Sequence, residues 1–401
     1  MIHKISFSNF FSFMDEVSID FVVDNHAPDT NAYFTDSFGN RISKIMTVVG
    51  GNASGKTNLL RSVAFLRWFI ADSFTDLEPT QKISEKDIYQ PFLFCEQSGP
   101  STFEITFAIE KEIYKYNLSL NNERVLNEVL SIKKETNYWN KIFTRNYDDQ
   151  RKEYSVNFAK LDLPSDFEKL VRPNSSVLSS AKQINNPHAV KIVNYFSSIQ
   201  SSFDEMGAPN KNAYQALYKA AEFYHNKPEI RDKVEKILKS FDLGISKFEI
   251  QKFKRADNTE VHLPLSYHKR IDSEKEAMLL MNEESGGTRN LFLLLKDIFA
   301  ALETGNIVIF DELDNNLHPL MVPEIINLFR SVNHNPHNAQ LFFSSHNVQI
   351  LNELDKQQIV LVEKDKNISD AWKLSDIEGV RPGENYYTKY LAGVYGGIPR
   401  L

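Results

Sequence analysis

Val48–Leu60 reads V-V-G-G-N-A-S-G-K-T-N-L-L, and Gly50, Gly55, Lys56 and Thr57 fill every fixed position of G-x-x-x-x-G-K-[ST]. Upstream, Ile45–Val49 is an apolar, β-branched run that predicts a buried strand. Downstream, Leu59, Leu60, Val63, Leu66 and Ile70 have helical spacing, which predicts a helix over Asn58–Ile70. Strand, glycine loop and helix is the context a phosphate-binding loop needs, because backbone N–H groups and a helix N-terminus then face the anion together. The predicted cradle is Gly50, Gly51, Asn52, Ala53, Ser54, Gly55, Lys56, Thr57 and Asn58. Lys56 is placed to reach the β- and γ-phosphates, and the Thr57 hydroxyl to bind Mg²⁺.

The rest of the chain suits such a protein. At 401 residues it can bury a large core, and its 42% apolar and 25% charged residues are ordinary for a globular chain. A net charge of −7 argues against non-specific coating of nucleic acid, though it leaves room for a local basic patch. Cys95 is the single cysteine, so neither a disulfide framework nor a thiolate metal site is expected. The N-terminus M-I-H-K-I-S-F does not read as a signal peptide, and no apolar run has the length of a membrane span. These features point to the cytoplasm.

In chain order, Ile2–Phe7 and Val17–Val23 alternate as strands, with N-F-F-S-F (Asn9–Phe13) between them. That aromatic segment suits core packing or a surface near an adenine. Phe103–Ile109, Ile113–Leu120, Val125–Leu130 and Lys141–Arg145 predict an antiparallel meander, not a continuing parallel series. From about Leu163 to Leu243 the pattern is helical and lacks heptads, which predicts a helical insertion but no long coiled coil; Gly244 ends it. Phe248–Phe253 and Glu260–Tyr267 then predict a hairpin around Ala256–Asn258.

The last third carries the second half of a site. Ile307–Phe310 is a short apolar strand that delivers Asp311 and Glu312 to its carboxyl end, the ligand edge of α/β sheets. Two acids commonly end a strand. Beside a phosphate loop, however, they predict a Mg²⁺-holding Asp311 and a water-polarising Glu312. Leu341–Phe343 is another apolar strand, ending at Ser344–Ser345–His346. His346 is either a core histidine or a γ-phosphate sensor, and its place after the second strand favours the sensor. Ser285–Gly286–Gly287–Thr288 opens an apolar helix, Asn290–Leu302. The segment suits a capped glycine turn or a second anion site. One γ-phosphate does not need two anion sites in one chain, so the second reading predicts a dimer with shared sites.

Together G-G-N-A-S-G-K-T, S-G-G-T, I-F-D-E-L-D-N-N-L-H-P and S-S-H-N resemble, in this order, the ABC-type ATPase head. Asn52 and N-F-F-S-F resemble the SMC, RecF and OLD branch. The ending R-P-G-E-N-Y-Y-T-K-Y-L-A-G-V-Y-G-G-I-P (Arg381–Pro399) is similar to that of standalone prokaryotic ATPases of AAA class fifteen. The resemblance implies an α/β fold, a mixed sheet with an antiparallel β lobe, in two ATPase lobes (1–150 and 245–401) around the helical segment 151–244. It implies ATP in preference to GTP, Mg²⁺, and an ATP-sandwich homodimer. In that dimer Lys56, Thr57, Asp311, Glu312 and His346 of one copy face Ser285 and Gly287 of the other, with Asp314 in the loop after the acidic strand. Kinship also implies a place in antiphage defence beside a nuclease or toxin effector.

Two departures stand out. Glu284 and Thr288 replace the outer residues of the fuller L-S-G-G-Q signature, and the glutamine that joins Mg²⁺ to lobe movement is best matched by Gln90. Slow or partner-dependent hydrolysis follows from both. Ile359–Glu363 has the look of a Toprim nuclease strand, but the 38 residues after Glu363 (401 − 363) contain no D-x-D, so no built-in nuclease is expected. A DNA-repair or chromosome clamp and a non-hydrolysing scaffold are the competing functions; the lack of coiled coils and the acidic balance count against the clamp.

Overall fold

The computed structural model describes residues 1–398 apart from 25–26, 97–98, 135–137, 159, 165, 204–212, 242–243, 255–257 and 259. A six-stranded sheet lies at its centre, in the order Gln200–Ser201, Ile307–Phe310, Gln340–Ser344, Ile45–Gly50, Ile359–Asp365 and Ile368–Lys373. The first five strands are parallel and the last is antiparallel. Strands covered on both faces must be apolar throughout, which is why I-V-I-F and I-M-T-V-V read as continuous runs. Their side chains alternate between two cores. Met46, Val48, Ile307 and Ile309 enter one, while Ile45, Val49, Val308 and Phe310 enter the other.

The first core is closed by the helix Lys56–Asp76 and by a seven-stranded antiparallel sheet. From one edge, that sheet runs Glu153–Asn157, Asn140–Asp148, Val125–Lys133, Glu112–Leu120, Ser101–Ile109, Ile2–Ser8 and Val17–Asp20. The expected meander is present and one strand longer. Inside it, Glu128 is fully buried and accepts from the Tyr116 hydroxyl (2.8 Å), the Ser176 hydroxyl (2.8 Å) and the Val177 N–H (3.0 Å), with Arg145 Nη1 3.6 Å away.

The second core holds the helices Gly286–Thr304 and Met321–Arg330 and the aromatic tail residues Tyr386, Tyr390 and Tyr395. Residues 151–244 are shared between the two cores. Val177–Lys182 and Pro187–Ser197 pack in the first, and Ala213–Asn226 and Pro228–Ser240 in the second. The expected hairpin is found as Ile245–Lys254 against Glu260–Lys269, and a third strand, Glu276–Leu280, extends it. The turn residues Ala256 and Asp257 lie outside the described residues, as does Pro399 of the tail. Among the described residues no helix is long and apolar enough to cross a membrane.

Candidate nucleotide site

The strand Ile45–Gly50 ends in the glycine loop, and the helix starts at Lys56 with Gly55 at its N-cap, φ 120°. Two glycines are required by their neighbours. A Cβ on Gly50 would sit 2.2 Å from the Val362 carbonyl oxygen, and one on Gly55 2.6 Å from Ser369 Oγ. The loop is braced from distant sequence. Ser369 Oγ lies 2.6 Å from the Ser54 carbonyl and 2.8 Å from Ser12 Oγ, which in turn accepts from Asn58 Nδ2 at 2.9 Å. N-F-F-S-F therefore divides its work: Phe10 and Phe13 are fully buried, Ser12 holds the loop, and half-buried Phe11 carries the Arg61 guanidinium 4.6 Å from its ring centre.

The acids arrive from the adjacent strands. Thr57 donates to Asp311 Oδ2 at 2.8 Å, and Ser344, fully buried at the end of the next strand, donates to Asp311 Oδ1 at 2.6 Å. Ser344 Oγ also accepts from the Glu312 N–H (2.8 Å), and Ser202 Oγ accepts from the Asp311 N–H (2.9 Å). Glu312 has φ 51°, the left-handed region that a side chain normally avoids. Its carboxylate lies 3.0 Å from His346 Nε2, and both side chains are more than two-fifths exposed (44% and 43%), so His346 is not a core histidine. Asp314 accepts from the His346 and Asn347 N–H groups (3.3 and 2.9 Å), fixing the turn that presents His346.

Lys56 is buried and donates to the Gly50 and Gly51 carbonyls, both at 3.0 Å. Burial pushes its ammonium below the ordinary lysine range, while Asp311, Glu312 and Asp314 pull it back up. The structure thus brings Lys56, Thr57, Asp311, Glu312, Asp314 and His346 together.

Ser285 and Gly286 are exposed. The Ser285 hydroxyl caps its helix through the Thr288 N–H (3.1 Å), nothing lies within 4 Å of where a Gly286 Cβ would stand, and Gly287 backs onto the Asn316 carbonyl. The turn faces solvent. Gln90 is fixed through its main chain, whose carbonyl accepts from the Phe11 N–H at 2.8 Å. That puts it beside the loop's brace, but among the described residues its side chain has no hydrogen bond to Thr57 or Asp311.

The model of the family described as "AAA domain, putative AbiEii toxin, Type IV TA system" matches residues 45–352. The chain belongs to this family. The match runs from the strand before the phosphate loop to just past His346, so it takes in every motif of the site. The description names AbiEii rather than the class fifteen ATPases. No curated protein matches the chain.

Solved structures of similar shape include an SMC head bound to the C-terminal winged-helix domain of ScpA (12% identity, 92% of this chain and 96% of that one, TM-score 0.48). The SMC head domain of Thermotoga maritima (13% identity, 93% of this chain and 98% of that one, TM-score 0.41) and RecF with ATPrS (13%, 92% and 98%, TM-score 0.33) are others. At these scores the overlaps carry no weight of their own. The phosphate loop, the acidic strand and the family make this a P-loop ATPase of the AAA type.

A family member of this type takes ATP with Mg²⁺, and the residues present fit that pair. Thr57 and Asp311 offer a hydroxyl and a carboxylate, hard oxygen donors of the kind Mg²⁺ prefers, within hydrogen-bond reach of each other. Ser54 Oγ is buried and has no hydrogen-bond partner among the described residues. Ser12, Ser202, Ser344 and Ser369 escaped the sequence reading, because single serines carry no pattern; only the adjacency of Ser344 to His346 hinted at one of them.

Proposed function

We propose that the protein is an ATP-hydrolysing switch of the cytoplasm whose two copies close over ATP–Mg²⁺ and control a separate effector, a nuclease or toxin, in prokaryotic antiviral defence. One observation carries the reading. Lys56, Thr57, Asp311, Glu312 and His346 converge at the ends of three neighbouring parallel strands, while the Ser285–Gly287 turn looks outward. In this reading Lys56 leaves the Gly50 and Gly51 carbonyls for the phosphates. Glu312 takes a proton from the attacking water, and His346 orients Glu312 and senses the γ-phosphate. Thr57 and Asp311 would hold Mg²⁺, which when bound would supply charge neutralisation at the phosphates. Ser285 and Gly287 would complete the site of the second copy. The family description, which names a putative AbiEii toxin of a type IV toxin–antitoxin system, supports a place in a toxin–antitoxin setting.

Steady-state hydrolysis and ATP binding of Glu312→Gln and Lys56→Ala test the catalytic half. Glu312→Gln should bind ATP without turning it over, and Lys56→Ala should fail to bind; wild-type turnover by Glu312→Gln would end the assigned role. For the defence half, phage plaquing is compared on cells carrying the chain with the genes encoded beside it. Equal plaquing with wild type and Lys56→Ala would end that role.

A further inference from the structure

Where the fuller signature has leucine, this chain has Glu284, and its side chain is nearly buried. A buried carboxylate needs partners. It finds them on the central strand of the three-stranded sheet: the Ser266 hydroxyl donates to Glu284 Oε1, and His268 Nε2 lies 2.6 Å from the same oxygen. The next residue, Ser285, caps the helix Gly286–Thr304. The third strand, Glu276–Leu280, runs through one short turn directly into Glu284.

Farther along that helix the same sheet is bound again. Phe292 packs edge-on against Phe248 of that sheet (ring centres 5.6 Å apart) and against Tyr224 of the helix Ala213–Asn226 (4.9 Å), whose hydroxyl donates to the Phe292 carbonyl at 2.8 Å. The sheet therefore grips the helix at two points, and the grip at its N-terminus is polar and depends on three side chains. Polar grips of this kind fix orientation in a way that apolar packing does not, since losing one partner leaves the other buried and unsatisfied.

We infer that Glu284, His268 and Ser266 are positioning residues that tether the Ser285–Gly287 turn to the three-stranded sheet, and that the turn can engage the ATP of a second copy only while the tether holds. The inference rests on the shared-site reading proposed above. The tether acts in trans: breaking it spares the phosphate loop of its own copy and disables the site of the partner copy.

The test uses full-length chains. Glu284→Ala should bind ATP as a monomer like wild type, yet need at least about tenfold more protein to pair in ATP–Mg²⁺, the cost of losing hydrogen bonds to a charged group. Its turnover should fall in step. Mixing Glu284→Ala with Glu312→Gln should restore turnover that neither has alone, because one site of the mixed pair combines an intact Glu312 with an intact tether. A merely structural defect cannot be rescued this way. If Glu284→Ala does not fold, His268→Gln carries the same comparison. A pairing wild type with an indifferent Glu284→Ala, or mixing that restores nothing, overturns the tether alone. A wild type that never pairs overturns the shared-site reading and the tether with it.

Discussion

Replacing Ser344 by alanine should separate the orientation of the acids from the binding of nucleotide. Its hydroxyl serves both carboxylate-bearing residues, donating to Asp311 Oδ1 at 2.6 Å and accepting from the Glu312 N–H at 2.8 Å. A hydrogen bond to a charged group contributes about 1.5–3 kcal/mol, and a buried donor left without an acceptor costs about 1–3 kcal/mol. Against this, Glu312 stands at φ 51°, and its relaxation out of the left-handed region would return about 1–2 kcal/mol. The balance is a loss of about 2–3 kcal/mol, most of it expressed in where Asp311 and Glu312 point. If the barrier rises by that amount, kcat falls by about 30- to 150-fold. KM for ATP should change little, because Ser344 touches neither Lys56 nor the glycine loop. Steady-state hydrolysis gives kcat, titration with a fluorescent ATP analogue gives binding, and thermal unfolding confirms the fold. An unchanged kcat in a folded Ser344→Ala, or a loss of binding equal to the loss of turnover, would refute the reasoning.

Gly55→Ala should weaken ATP binding by at least about tenfold, since a Cβ at φ 120° would press on Ser369 Oγ at 2.6 Å; a normal binding isotherm would contradict the strain. Arg145→Met should cost about 3–5 kcal/mol in urea unfolding by leaving Glu128 buried without its counter-charge. Adding Glu128→Gln should recover much of that, and a double variant no more stable than the single would place the cost elsewhere. Burial pushes the His3 imidazole from 6.5 down to about 4, with Asp36 opposing from 3.5 Å. A group held neutral in the fold but protonated near 6.5 when unfolded contributes stability above pH 6.5 that is lost as pH falls towards 4. His3→Gln should flatten the stability profile in that window, and an unchanged slope between pH 6.5 and 4 would remove His3 as the cause.

What the sequence disclosed was local. The phosphate loop, the acidic strand and His346 each sit in a run of a few residues whose type and order carry the chemistry, and the apolar strands beside them declare burial on both faces. Ser12 and Ser369 were not legible, because they meet across 357 residues of chain and only the folded sheet brings them to the loop. The third strand Glu276–Leu280 was missed for a different reason: it is mostly exposed, with no buried face to impose alternation. Helical periodicity gave the amphipathic faces of residues 151–244 but not what each face packs against, so helices divided between two cores read as one insertion. Glu284 was noticed as a departure from a motif. Its partners, Ser266 and His268, became visible only when the strand pairing set them opposite the turn.

The solution mass of Glu312→Gln, with and without ATP–Mg²⁺, tests the central claim most directly. The variant keeps Lys56, Thr57 and Asp311 for binding while losing the carboxylate that faces His346 at 3.0 Å, so closed pairs should accumulate. The account predicts a monomer that doubles in mass when ATP–Mg²⁺ is added. A mass that stays monomeric at saturating ATP would contradict it.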